Sequence, residues 1–352
     1  MPLTGAQLVF VFGATEALKR EDVMGEIRER DGGAVMFGCS TAGEIAGVEV
    51  EDGSVVATAV EFEHTKVAVA RVELSEARGS AEAGERLARE LPLEMESGER
   101  LHHVIVLSDG LKANGSQLVE AMTKGLPASV TVTGGLAGDG ARFAETAVLW
   151  EGKAAAGAVV YGAYGGWDPF GPERRITKAR ANVLYELDGQ SALMLYKKYL
   201  GDQAKDLPGS GLLFPLSLRI DGVESGLVRT ILMVDEEEQS ITFAGDMPEG
   251  AYARLMKANF DRLIDGAGSA AESSRVNGTT KAPELAVLIS CVGRKLLLKQ
   301  RIEEEVEAVR DALGGETVMT GFYSYGEISP CVRGGRSELH NQTMTVIHLT
   351  EH

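Results

Sequence analysis

The residues best suited to chemistry are carboxylates that close glycine-rich runs. Glu44 follows Gly38-Cys39-Ser40-Thr41-Ala42-Gly43, Asp139 follows Gly134-Gly135-Leu136-Ala137-Gly138, and Glu327 follows Gly321-Phe322-Tyr323-Ser324-Tyr325-Gly326. Glycine lets backbone approach a ligand closely and lets N–H groups converge on an anion. A carboxylate beside such donors suits a small ligand with both an anionic and a cationic group, as an amino acid has. Ser40, Thr41, Tyr323, Ser324 and Tyr325 offer hydroxyls, and Arg294 offers a cation for a ligand carboxylate. Cys39 stands in the first run, as a ligand contact or as a buried, inert thiol. The same spacing also describes tight turns whose acids cap a helix or pair internally, and Arg294 has an internal alternative in Glu303–Glu305.

Other chemistries fit less well. A nucleophile elbow needs G-x-S-x-G, and the run around Ser40 has one residue too many. The run ending in Asp139 lacks the G-K-[ST] of a phosphate loop and the order of a dinucleotide fingerprint. The six histidines show no zinc spacing. His340 enters the last strand near the third acid, where it suits either haem ligation or a strand hydrogen bond. The turn Gly165-Gly166-Trp167-Asp168-Pro169-Phe170-Gly171-Pro172 suits a pocket wall or a staple between two lobes.

The elements that position these loops repeat. Val35–Ile45 and Val318–Ile328 match at six of eleven positions without a gap, and Val130–Asp139 is a looser third copy. Each copy follows an apolar strand and then a helical stretch: Leu8–Phe12 and Glu16–Arg30, Val104–Leu107 and Ser116–Lys124, Leu285–Ile289 and Ile302–Leu313. Each precedes an alternating strand, at Ser54–Val60, Ala156–Tyr161 and Thr343–Leu349. The pattern predicts an α/β protein of mixed sheets, built from three related β-α-β-loop-β units in two lobes. An insertion over 176–267 holds expected strands at Ile176–Leu187, Leu216–Ile220, Leu227–Val234 and Ser240–Ala244, with helices over Gly189–Leu200 and Ala251–Ala267. Gly266–Thr280 is rich in small residues and reads as a linker or as more helix. A boundary at Leu207-Pro208-Gly209-Ser210-Gly211 divides the chain into 1–210 and 211–352.

Composition bounds the function. The chain has 352 residues, 44% hydrophobic, with a formal net charge of −17. That charge argues against nucleic acid and anionic membrane surfaces as partners. No apolar run reaches the roughly 18 residues of a membrane span. Three cysteines (Cys39, Cys291, Cys331) close no disulfide set, so a reducing cytoplasm is expected.

Several of these segments together resemble the FIST family of sensory domains, which has an N-terminal and a C-terminal part. They are Gly38–Ile45, Thr133–Gly140, Gly166–Pro172, Phe322–Ile328 and Leu339–Thr345. The resemblance spans nearly the whole chain. It implies an intracellular input module for a small molecule, amino acids foremost, with haem in a nitric-oxide-sensing subset. It implies a separate partner such as a histidine kinase, a chemotaxis receptor or a cyclic-dinucleotide enzyme. One departure stands out: Gly162-Ala163-Tyr164 runs straight into Gly165-Gly166-Trp167, where the family usually has a further strand and turn. The expected function is therefore binding, with a polar ligand between the lobes at the paired glycine–acid loops.

Overall fold

The computed structural model describes residues 5–30, 33–95, 98–151, 159–220, 223–275, 282–330 and 335–351. Cys331 lies outside them. The three expected units are present, and each begins with two parallel strands joined through helix. The first strands are Leu8–Gly13, His103–Ser108 and Leu285–Cys291. The second strands are Val35–Ser40, Thr131–Leu136 and Val318–Ser324. One glycine recurs at the same place in each pair. Gly38, Gly134 and Gly321 sit in register with Val11, Val106 and Leu288. A Cβ added there would lie 1.7, 1.8 and 1.9 Å from those residues' carbonyl oxygens. Only glycine permits so close an approach, which gives the repeated glycine its physical reason.

The units are interlocked by exchanging strands. After its loop, unit one sends Glu44–Ala46 to pair antiparallel with the second strand of unit three. Unit three sends Gly326–Pro330 to the second strand of unit two. Unit two sends Val148–Glu151 to the second strand of unit one, which closes the ring. The inner faces of the sheets meet in one apolar cluster: Phe10 and Phe12 from unit one, Ile105 and Leu107 from unit two, Val287, Ile289 and Phe322 from unit three.

The units differ in what covers the first strand. Val55–Val60 lies antiparallel to Leu8–Gly13, and Met344–Leu349 lies antiparallel to Leu285–Cys291. In unit two, His103–Ser108 is the last strand of its sheet among the described residues. The strand expected at Ala156–Tyr161 is found at Val159–Tyr164, with 156–158 outside the described residues. It pairs with Met344–Leu349 of unit three instead of with its own unit.

The second lobe is a sheet drawn from residues 167–258, with the helix Ala192–Leu200 packed on it. The division expected at 210/211 runs through this lobe, because Leu200 before it and Leu216 after it share one core cluster, with Leu207 packed against it. The expected helix Ala251–Ala267 is corrected. Tyr252–Ala258 is a strand with Ala253 and Leu255 turned inward. The helix is Phe260–Ser274, and the Asn259 side chain accepts from the Arg262 N–H at its start. Gly266–Ser274 thus belongs to helix, while 276–280 lie outside the described residues. The expected strand Ile176–Leu187 is two, Arg174–Arg180 and Val183–Leu187, turning at Ala181 with φ 50°. Leu227–Val234 divides likewise, between Val223–Arg229 and Ile231–Asp235.

The lobes join through buried polar contacts. Trp167 Nε1 donates to the Gln342 carbonyl at 3.0 Å. Gln342 Nε2 donates to Leu212 O at 3.2 Å and to Thr230 Oγ1 at 3.0 Å. The aromatic turn therefore acts as a staple, with Trp167 packed against Met256, Leu263, Leu297 and Leu298.

Candidate functional site

The three glycine–acid loops do meet. Ala42 N donates to Tyr323 O and Tyr323 N to Gly43 O, both at 2.8 Å. Gly138 N donates to Ser40 O at 2.9 Å, and Tyr325 N to Leu136 O at 3.1 Å. The carboxylates are turned into this junction and satisfied there. Glu44 accepts from the Thr41 hydroxyl, from Ser54 N at 3.0 Å and from Ser54 Oγ at 2.9 Å. Glu327 repeats the arrangement with Ser324 Oγ at 2.6 Å, Thr343 N at 3.1 Å and Thr343 Oγ1 at 2.9 Å. Asp139 accepts from the Tyr325 hydroxyl and from the amides of Phe143, Ala144 and Glu145, each amide at 2.9 Å. All three acids are buried.

Their ionisation follows their surroundings. Burial pushes Glu327 up to about 7 despite the donors from Ser324 and Thr343. Burial also raises Glu44, against the hydroxyls of Thr41 and Ser54. Asp139 goes the other way: burial raises it, but the Tyr325 hydroxyl and three amides outweigh that and lower it.

The remaining expected contacts are equally enclosed. Burial raises the Cys39 thiol. Ser40 Oγ accepts from Ala147 N at 2.8 Å. Arg294 is fully buried, donating to Glu305 at 2.8 Å and to Leu263 O at 2.6 Å. Tyr323 is buried with its hydroxyl 3.5 Å from Glu305, and Tyr325 stacks on Phe143 at 4.5 Å. His340 Nε2 lies 2.8 Å from Ser329 O, and burial holds its ring down to about 4. That engaged, buried ring does not fit haem ligation.

The space lies elsewhere. A cavity of about 540 Å³ opens between units one and two, around the strand His103–Ser108. None of the ten expected contact residues lines it, nor does His340. One wall is unit one, through Leu8, Phe10 and Phe37, with Trp150 from the exchanged strand. Another is the helix side of unit two, through Ala83, Leu87, Leu118 and Met122. Residues 67–75 form the third side, including Val67, Val69 and Val72. Arg71 lies over the Trp150 ring at 5.6 Å, which places a cation at the rim. Glu351 ties down the approach to this segment by accepting from the amides of Glu63, His64 and Thr65. Burial raises that carboxyl, but donation from Thr65 and these amides prevails and holds it down to about 2.

Sequence reasoning missed these lining residues. They are ordinary core types, and 62–75 is remote from His103–Ser108 along the chain. The one available signal was the uneven third repeat.

Three interlocked β-α-β units with an inserted second lobe define the class. The FIST N domain matches residues 7–190 and the FIST C domain matches residues 192–330. The chain belongs to the FIST family, whose domains are sensory. It is also similar to the uncharacterized protein MJ1623 of Methanocaldococcus jannaschii, at 21% identity over 337 residues. That match covers 86% of this chain and 63% of the relative, so the chain spans less than two thirds of its length. Among the described residues no helix is long and apolar enough to cross a membrane.

Proposed function

We propose that this chain is a sensory module whose ligand enters the cavity between units one and two. The observation that carries this reading is the 540 Å³ recess walled by apolar side chains of two units, with polar groups at its rim. Such a lining selects a small, largely apolar molecule. An amino-acid-like ligand at the glycine–acid loops would have to displace internal donors from Glu44, Asp139 or Glu327, which costs about 1–3 kcal/mol for each buried group left unsatisfied. Occupancy of the cavity bears directly on residues 67–75, and that surface is where a separate partner, such as a histidine kinase or a cyclic-dinucleotide enzyme, would read it.

The test uses 1-anilinonaphthalene-8-sulfonate as the probe. Trp150 lines the cavity, and the chain's other tryptophan, Trp167, is buried at the lobe joint. Saturable binding with energy transfer from Trp150, lost in Ala70→Trp, is the expected result. Equal binding by wild type and Ala70→Trp would place the probe elsewhere and remove the proposal.

A further inference from the structure

The cavity lies where units one and three carry a covering strand and where unit two, among the described residues, carries none. Units one and three each cover their first strand with an antiparallel strand, Val55–Val60 on Leu8–Gly13 and Met344–Leu349 on Leu285–Cys291. His103–Ser108 is the corresponding first strand of unit two, and among the described residues no strand pairs along its outer side. The cavity lies along that side. It reaches Ile105 and Leu107 on one face of the strand and Val104 and Val106 on the other.

Backbone direction sharpens the point. His102 O accepts from Thr131 N at 3.0 Å, and Ser108 O accepts from Ala137 N at 2.8 Å. Alternate residues of a strand turn their N–H and C=O to the same side. The even-numbered positions therefore face the second strand, and Ile105 and Leu107 turn their amides and carbonyls into the cavity. Phe10 in unit one and Val287 in unit three hold the equivalent positions, opposite Thr58 and Ile347. A purely apolar ligand leaves the groups of Ile105 and Leu107 unanswered. An extended backbone answers them and also covers the apolar surface on both faces.

We propose that the ligand is a short, extended, apolar peptide that adds antiparallel to His103–Ser108 and completes unit two. This inference rests on the reading of the cavity as the ligand site. A free peptide is favoured over a docked domain because residues 67–75 close the third side and leave a recess, not an open sheet edge.

The probe is a capped hexapeptide with the sequence of Val55–Val60, the strand that fills the equivalent place in unit one. It is compared with two versions N-methylated at alternate residues, one in each phase. The expected result has four parts. The parent peptide displaces the anilinonaphthalene dye. One N-methylated phase binds at least tenfold more weakly than the other, since it has lost its inward-facing donors. Hydrogen exchange at the Ile105 and Leu107 amides slows with peptide. Leu107→Pro, which removes one inward-facing amide, weakens binding of the parent peptide.

Dye binding with no displacement by peptide would overturn the peptide inference and leave the cavity reading standing. So would equal binding by both methylated phases. Absence of dye binding to the wild-type chain would overturn both.

Discussion

Glu327→Gln separates the energetic role of the buried acids from any role in binding. The carboxyl is fully enclosed, and burial raises its pKa from 4.5 to about 7. A raised acid favours the folded state when protonated, so its penalty is absent below pH 4.5 and develops as pH rises through 7. At 1.36 kcal/mol per unit, the shift implies that wild type loses about 2–3 kcal/mol between pH 5 and pH 8 from this group. Glutamine carries no charge at either pH. Its amide nitrogen can face the rotatable Ser324 hydroxyl while its oxygen accepts from Thr343, which preserves the geometry. Two other groups titrate in the same range with opposite sign. His340 and His348 are lowered to about 4 by burial, so their contribution is present above pH 6.5 and is lost as pH falls through 4. The informative quantity is therefore the difference between variant and wild type, in which the histidines cancel. Urea unfolding at pH 5, 6, 7 and 8 measures it. The variant should gain on wild type by about 2–3 kcal/mol across that series. A difference that stays flat within about 0.5 kcal/mol would refute the argument that burial sets this carboxyl's ionisation.

Three further outcomes follow from the same geometry. Gly321→Ala places a Cβ 1.9 Å from Leu288 O, whereas Gly315→Ala meets nothing within 4 Å; urea midpoints should show a loss of about 3 kcal/mol or more for the first and a change below about 1 kcal/mol for the second. Arg294→Ala leaves Glu305 buried without its cation and should cost about 3–5 kcal/mol in the same assay, while leaving dye binding per folded molecule unchanged. Glu351→Gln removes the charged acceptor for the amides of Glu63, His64 and Thr65; hydrogen exchange should speed up over 63–75, and unchanged exchange would show that the segment is held by packing alone.

The repeated units were legible because their cause is local. Gly38, Gly134 and Gly321 each pass a neighbouring carbonyl too closely for any side chain, and such a requirement leaves its mark in sequence. The acids were legible as a set but not in role. Glu44 and Glu327 find their partners in Ser54 and Thr343, ten and sixteen residues further on, a spacing that belongs to no local motif. Tyr252–Ala258 misled because Tyr252, Leu255 and Met256 satisfy a helical period while Ala253 and Leu255 satisfy a strand's. Pairing of this segment with Leu216–Ile220 decided the matter.

By itself the sequence determined that three related α/β units exist, that each carries a glycine at the same point, and that each ends in a loop acid. Hydrophobic period and steric exclusion act within a few residues, so they are written locally. The tertiary structure alone decided which unit receives each exchanged strand, that Val159–Tyr164 leaves its own unit for another, and that a recess therefore remains beside Ile105 and Leu107. A strand's pattern states that it will pair, whereas its partner is chosen by hydrogen bonding and packing across the whole chain, where no local period reaches.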